Sequence, residues 1–188
     1  MEVILASKSP RRLELLGKIY PDLSVVVGDA DETLPSGTHP RQGVEILAVR
    51  KGAAVLPLVP RDALVVSSDT LVEKDGIALG KPRDEADAFQ ILKLLSGSTH
   101  NVHTGVAVHY GGRVYSGVAT TAVTFREMTD SEIRDYIATG EPMDKAGAYG
   151  IQGGGGNFVL RYDGDFDTVV GLSLALTEKL IKGALAND

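Results

Sequence analysis

Two polar segments of this sequence carry residue types that act on phosphates. The first, Leu-Ala-Ser-Lys-Ser-Pro-Arg-Arg at residues 5–12, places the hydroxyls of Ser7 and Ser9 ahead of Arg11 and Arg12. Ser9 before a proline predicts an N-cap and the first helical position. A helix start offers free N–H groups and a positive dipole end, so this segment predicts a phosphate site. The alternative is an ordinary turn with solvated arginines, although cations in a first turn are unfavourable without an anion.

The second segment, Ser-Ser-Asp-Thr at residues 67–70, ends the apolar run 64–68, which predicts a buried strand. We expect Asp69 just past the end of that strand, where ligands bind in open α/β sheets. A carboxylate there can hold a metal ion or take a proton from water, and a plain Asx turn is an equal alternative. Mg²⁺ prefers one or two carboxylates with phosphate oxygens and water, which Asp69 and Glu32 could supply. By itself, the loop of Glu32 is more often just acidic and solvated.

Three lysines could add positive charge to the same site. Lys51 lies seven residues after Val44, inside the apolar stripe of a predicted helix, so it either snorkels to solvent or reaches a buried anion. Lys81 in Gly-Lys-Pro and Lys145 in Lys-Ala-Gly lie in turns, where a single lysine is more often a surface charge. With the two arginines, these residues give five cations available for a polyphosphate.

Composition excludes several classes of function. The 188 residues carry a net charge of −6, which argues against a nonspecific nucleic-acid binder. The absence of cysteine excludes disulfides, thiolate metal sites and a cysteine nucleophile. The four histidines show no metal-site spacing, and His103 and His109 are interpreted as structural. No apolar run approaches the roughly 18 residues of a membrane span, so a cytoplasmic protein is expected.

Alternating helix and strand patterns predict an α/β fold on a mixed sheet. Without repeats or a long linker, residues 1–188 are expected to form a single domain. Thr129 and Glu132 predict a capping box. The glycines 153–156 lack the Lys-Ser/Thr helix of a P-loop and predict a flexible turn beside the site. Helices are predicted over 11–20, 41–56, 84–95, 131–138 and 170–183, and strands over 3–6, 23–27, 64–68, 71–79 as a hairpin, 103–110, 113–125 and 157–162.

Four segments together resemble the Maf family of nucleoside triphosphate pyrophosphatases. Besides residues 5–12 and 67–70, they are Gly-Lys-Pro at 80–82 and Lys-Ala-Gly-Ala-Tyr-Gly-Ile-Gln-Gly at 145–153. They follow the family's order, and the resemblance covers about residues 3–173. It implies a two-lobed Maf/inosine-triphosphatase-like fold with a central cleft, usually in a homodimer. It also implies hydrolysis of a nucleoside triphosphate between its α and β phosphates.

The resemblance also assigns roles to residues. Asp69 matches the family's catalytic proton acceptor, and Arg11 or Arg12, Thr70 and Gln152 match positions tied to base choice. The segment at 145–152 resembles the branch that acts on dTTP and UTP. Two departures stand out: Lys8 replaces a usually small residue, and residues 168–173 end in Ser173 where proline is usual. The other positions that match the family's site are Ser7, Glu32, Lys51 and Lys81.

These observations give one working hypothesis. A divalent cation, Mg²⁺ or Mn²⁺, is held by Asp69 and Glu32, and a nucleoside triphosphate binds to the remaining site residues. The alternatives are a pyrophosphatase for 7-methyl-GTP or another non-standard nucleotide, and a non-enzymatic nucleotide-binding regulator of septum formation. The regulator would not need the two carboxylates. The predicted substrate-binding residues are Ser7, Ser9, Arg11, Arg12, Lys51, Thr70, Lys81, Lys145 and Gln152.

Overall fold

The computed structural model describes residues 1–186 and contains one mixed sheet, which confirms the predicted α/β fold. The strands lie in the order β2-β1-β3-β5-β6-β7, with β4 paired to β3. Pairs β1–β2 and β1–β3 are parallel, and the others are antiparallel. The strands are β1 Val3–Leu5, β2 Ser24–Val25, β3 Leu64–Lys74, β4 Ile77–Leu79, β5 Thr99–Tyr110, β6 Arg113–Phe125 and β7 Val159–Asp163; the helices are α1 Pro10–Gly17, α2 Pro40–Ala53, α3 Glu85–Leu95, α4 Asp130–Ala138, α5 Phe166–Val170 and α6 Leu174–Leu185.

Strand β3 runs straight through the polar segment 67–70, so the prediction that it stops before Asp69 was wrong. Its parallel partner β1 pairs only with residues 64–66. Beyond that point β5 still pairs with β3 in antiparallel register, with Asp69 opposite Gly105. The strand continues because this ladder satisfies its backbone groups even where the side chains are polar. Asp69 therefore lies inside β3 but past the end of β1.

The apolar halves of β3 belong to different cores. Val66 packs in a cluster with β1, α1 and α6, whereas Val72 packs in a cluster with α3, α4 and Phe125. The polar residues 67–70 separate these halves. The fold therefore has the predicted two lobes, which share strands, and the cleft lies between their two apolar cores.

Helix α2 lies unusually close to the sheet over Asp69. Its buried residues Val44, Leu47 and Ala48 face β3 and β5. A Cβ atom on Gly105 would lie 2.2 Å from the Val44 carbonyl oxygen, a distance that no real side chain tolerates. Glycine at 105 therefore permits the close approach of α2.

The C-terminal segment is two helices, not the single helix predicted over 170–183. Helix α5 ends at Val170, and its C-cap Gly171 has a φ of +129°, in the region that favours glycine. Helix α6 then begins after Ser173, whose hydroxyl accepts a hydrogen bond from the Leu176 N–H. Ser173 thus caps the helix at the position where proline was the expected residue.

Other differences concern element ends, where sequence patterns are least informative. Strand β2 has only two residues, β5 begins at Thr99, and α1 ends at Gly17. The glycines predicted to form a turn beside the site begin a short 3₁₀ helix at residues 154–158, and Gly153 lines the cleft. The Thr129–Glu132 capping box is confirmed. Within residues 1–186, every helix is too short or too polar to cross a bilayer.

Candidate active site

The cleft between the lobes has a volume of about 950 Å³ and collects nearly all of the predicted site residues. Ser7 is the exception. It is buried behind the wall, where its hydroxyl accepts a hydrogen bond from the Ser9 N–H at 3.1 Å. The predicted residues that line the cleft are Ser9, Arg11, Arg12, Glu32, Lys51, Asp69, Thr70, Lys81, Lys145 and Gln152.

The start of α1 forms one wall of this cleft. Ser9 is the N-cap, as predicted, and its hydroxyl accepts a hydrogen bond from the Arg12 N–H at 3.4 Å. The first turn of α1 contains no acidic residue. Arg11 lines the cleft and makes no hydrogen bond or ion pair with the other residues that the structure describes. This wall therefore combines a helix N-terminus with a cation available to an anion.

Asp69 lies at the base of the cleft and is only 8% exposed. Lys51 Nζ donates a hydrogen bond to Asp69 Oδ1 at 2.5 Å, so this lysine reaches a buried anion and does not merely snorkel. Burial raises the pKa of Asp69 above its ordinary value, although the charges of Lys51 and Arg12 act in the opposite direction. A carboxylate with a raised pKa, held in a cleft, is suited to accept a proton.

Glu32 completes a three-residue charge cluster. Lys51 Nζ lies 3.3 Å from Glu32 Oε1 as well as bonding Asp69, so both carboxylates converge on one cation position. That convergence fits a divalent ion held by two carboxylates and completed by substrate oxygens. No group of three or more His, Cys, Asp or Glu side chains suited to a metal occurs among residues 1–186.

Arg12 is bound mainly to the protein itself. Its Nε donates to the Gly171 carbonyl and its Nη1 to the Ser68 carbonyl, both at 2.9 Å, and its Nη2 donates to Thr70 Oγ1 at 3.3 Å. Burial lowers the pKa of Arg12, and the charge of Asp69 partly offsets this effect. Its Nη1 also donates to the Ser7 hydroxyl at 3.5 Å, so four of its five N–H donors are engaged. Arg12 thus ties α1 to β3 and to the turn before α6.

The opposite wall is built around Glu141, which the sequence did not reveal. Its carboxylate accepts hydrogen bonds from the Tyr136 hydroxyl at 2.8 Å and the Gly154 N–H at 3.0 Å. Tyr136 in turn accepts one from the Gly150 N–H at 3.1 Å. These bonds hold the segment 150–155, which carries Gln152 into the cleft. No sequence pattern marks this support, because two of the groups that bond Glu141 are backbone N–H groups.

Three more predicted residues stand on or near this wall. Lys81 and Gln152 are exposed and form no hydrogen bond or ion pair within residues 1–186, so both are available to a ligand. Lys145 instead donates to Asp144 at 2.7 Å and to the Glu141 carbonyl at 3.1 Å. Lys145 thus lines the cleft, but its ammonium group is already hydrogen-bonded to the protein.

The two histidines interpreted as structural are both buried. His103 pairs with Glu73 at 2.8 Å and with Thr120, away from the cleft. Its hydrogen bond lowers the pKa of Glu73. His109 lies 3.2 Å from the Val49 carbonyl, and burial lowers its pKa. Neither residue is among those that line the cleft.

Comparisons with known proteins identify the family of this chain. Three relatives, each named dTTP/UTP pyrophosphatase, match nearly end to end. The protein of Vibrio cholerae is 47% identical over 96% of both chains, and that of Thermococcus onnurineus is 48% identical over 95% of both. The protein of Bacillus velezensis is 45% identical over 96% of this chain and 95% of its own. The Maf family model, described as Maf-like protein, matches residues 2–184, and the chain therefore belongs to the Maf family.

Proposed function

We propose that this protein hydrolyses dTTP and UTP to the nucleoside monophosphate and pyrophosphate, with residues 1–188 acting as a single domain. The observation that carries the proposal is the buried Asp69–Lys51 pair at the base of a cleft lined by further cations. The names of the relatives, at 45–48% identity, support the choice of substrate. A cation-lined cleft with no such buried base would equally suit a regulator that only binds nucleotide.

Asp69 acts as the base in this proposal. It takes a proton from a water molecule, whose oxygen forms a bond to the α phosphorus. The bond between the α phosphorus and the bridging oxygen breaks, and pyrophosphate leaves with the bonding electrons. Burial keeps the pKa of Asp69 raised, which strengthens it as a proton acceptor once ionised. Lys51 holds the carboxylate in one orientation.

The negative charge of the leaving pyrophosphate is spread over the walls of the cleft. Within residues 1–186, Arg11 on the α1 wall and Lys81 on the opposite wall are the cleft cations whose N–H groups are free to bind phosphate oxygens. The Ser9 hydroxyl and the N-terminal end of the α1 dipole also stabilise negative charge. Ser7 and Arg12 act behind them by fixing the loop and β3. In the proposed complex, Gln152, Thr70 and Lys145 also contact the substrate, since all three line the cleft.

A divalent cation completes the proposed site. Asp69 and Glu32 would hold it, with Mg²⁺ the best fit and Mn²⁺ an alternative. When bound, such an ion neutralises phosphate charge and polarises the oxygens that bind it. Within the protein, Lys51 already contacts both carboxylates and offsets the repulsion between them.

The test is pyrophosphate release by the purified protein with Mg²⁺, measured against dTTP, UTP, CTP, GTP and 7-methyl-GTP. Rapid turnover of dTTP and UTP that Asp69→Asn abolishes is the expected result. Preferred turnover of 7-methyl-GTP would keep the chemistry and refute the choice of substrate. Tight nucleotide binding without any turnover would favour the regulator.

The family resemblance further suggests that the protein is a cytoplasmic homodimer, which binds neither nucleic acid nor membranes. We infer these properties from the composition and the resemblance alone. Light scattering on the eluting peak of a size-exclusion column would give the mass of the particle. A mass of one chain, 19.8 kDa, would contradict the dimer.

A further inference from the structure

A chain of hydrogen bonds runs from the cleft into the protein behind Thr70. The hydroxyls of Thr70 and Thr104 lie 2.8 Å apart, on paired positions of β3 and β5. The Thr104 hydroxyl also bonds the Thr168 carbonyl at 2.7 Å, in α5. At the other end, Arg12 Nη2 bonds the Thr70 hydroxyl at 3.3 Å. Thr104 is fully buried, whereas Thr70 lines the cleft.

The two ends of this chain fix the direction of every bond in it. A carbonyl oxygen only accepts, so Thr104 donates its single proton to Thr168. Thr104 can therefore only accept from Thr70, and Thr70 must be the donor in that pair. A guanidinium only donates, so Arg12 fills one lone pair of the Thr70 oxygen. Thr70 keeps one free lone pair and no free proton.

We infer that Thr104 is a positioning residue, which makes Thr70 an obligate hydrogen-bond acceptor and so selects a substrate group that carries a proton. This inference rests on the proposed function. Ionised phosphate oxygens offer only lone pairs, so Thr70 addresses the nucleoside part of the substrate. Uracil and thymine carry a proton on N3, where cytosine has a lone pair. The fixed direction of the bonds thus favours the first two bases.

The direct test is equilibrium binding of UMP and CMP to the wild type and to Thr104→Val. Valine has nearly the same shape but no oxygen, so the Thr70 proton is freed to turn into the cleft. We expect the UMP preference over CMP to fall about tenfold, the worth of one hydrogen bond. Thr104→Ser keeps the hydroxyl and is expected to retain the wild-type preference. An unchanged preference in a folded Thr104→Val protein would overturn the inference.

A second measurement needs no substitution. The wild type is expected to bind 3-methyl-UMP, whose N3 proton is replaced by a methyl group, at least tenfold more weakly than UMP. Equal affinities would overturn the inference. Both measurements use monophosphates, so a protein that selects UMP in this way but hydrolyses no triphosphate would refute the proposed function and leave the inference standing.

Discussion

Replacing Gly105 with alanine should damage the active site without touching any group that contacts substrate. Gly105 lies opposite Asp69 on the neighbouring strand, beneath α2. An added Cβ would lie 2.2 Å from the Val44 carbonyl oxygen and 2.7 Å from the Glu45 nitrogen, and both atoms belong to the helix backbone. Backbone atoms of a helix cannot step aside singly, so α2 must move away from the sheet.

The size of that movement follows from the contact distances. Lengthening the contact from 2.2 Å to an ordinary 3.4 Å needs a shift of about 1.2 Å. The helix carries Lys51 two turns beyond Val44, so the bond to Asp69 would lengthen from 2.5 Å to about 3.7 Å, beyond hydrogen-bonding range. A misplacement of about 1 Å in a catalytic group can reduce the rate about 10²-fold. The strain should also reduce the free energy of unfolding by about 1–3 kcal/mol.

The assay is pyrophosphate release from dTTP alongside thermal unfolding, with Gly117→Ala as the matched control. A Cβ on Gly117 would meet only the tip of the Leu176 side chain, at 3.2 Å, which can turn away. We expect Gly105→Ala to lose about 10²-fold in kcat/KM and to melt about 2–4 °C lower for each kcal/mol lost. A Gly105→Ala protein as active and stable as Gly117→Ala would refute the idea that α2 sets the Lys51–Asp69 geometry.

Three further predictions concern other parts of the molecule. Asp69→Asn should lower kcat about 10² to 10⁴-fold because the base is lost. The same variant should melt at a higher temperature than the wild type at pH 7, because burial raises the pKa of Asp69 and its charged form destabilises the fold. For the same reason, kcat/KM of the wild type should fall as the pH drops through a pKa above 3.8, the ordinary value, since only the ionised form accepts a proton. Ser173→Ala should reduce the free energy of unfolding in urea by about 1 kcal/mol, because the hydrogen bond to Leu176 is lost, without changing kcat.

Each of these has a contradicting result. The stability penalty of ionised Asp69 is complete above its folded-state pKa and is relieved as the pH falls towards 3.8. Stabilisation in Asp69→Asn should therefore be largest at neutral pH and shrink in acid. Equal melting temperatures at pH 7, an activity profile flat down to pH 4, or a Ser173→Ala protein as stable as the wild type would contradict the respective prediction.

Local chemistry explains why much of the fold and of the site residue set was predictable. The helix start after Ser9 and the capping box at Thr129 depend on residues within three positions of each other. The continuous apolar runs of β1 and β3 predict buried strands from the local sequence alone, because their side chains are removed from water in the folded protein. Residue chemistry pointed to most of the cleft residues, and the family resemblance added Thr70 and Gln152. The structure brings all of the predicted set but Ser7 to the cleft surface.

The errors came from effects that local patterns do not contain. Strand β3 passes through Asp69 because β5, about 35 residues away in sequence, supplies its partner groups. Gly171 breaks the predicted last helix, and its carbonyl then accepts from Arg12. Glu141 supports the cleft through backbone N–H groups, which every residue type except proline possesses. No side-chain pattern could mark these partners.

The carbonyl of Gly171 has a consequence for the order in which the protein matures. It accepts hydrogen bonds from Arg12 and from Ser68, which precede it by 159 and 103 residues. A ribosome synthesises the chain from its N-terminus, so every predicted cleft residue is made before this acceptor exists. We expect nascent chains shorter than about 171 residues, and fragments cut by a protease ahead of that point, to be catalytically silent. The chain would then become catalytically active only late in synthesis, once the Gly171 carbonyl is present, although this group does not bind the nucleotide.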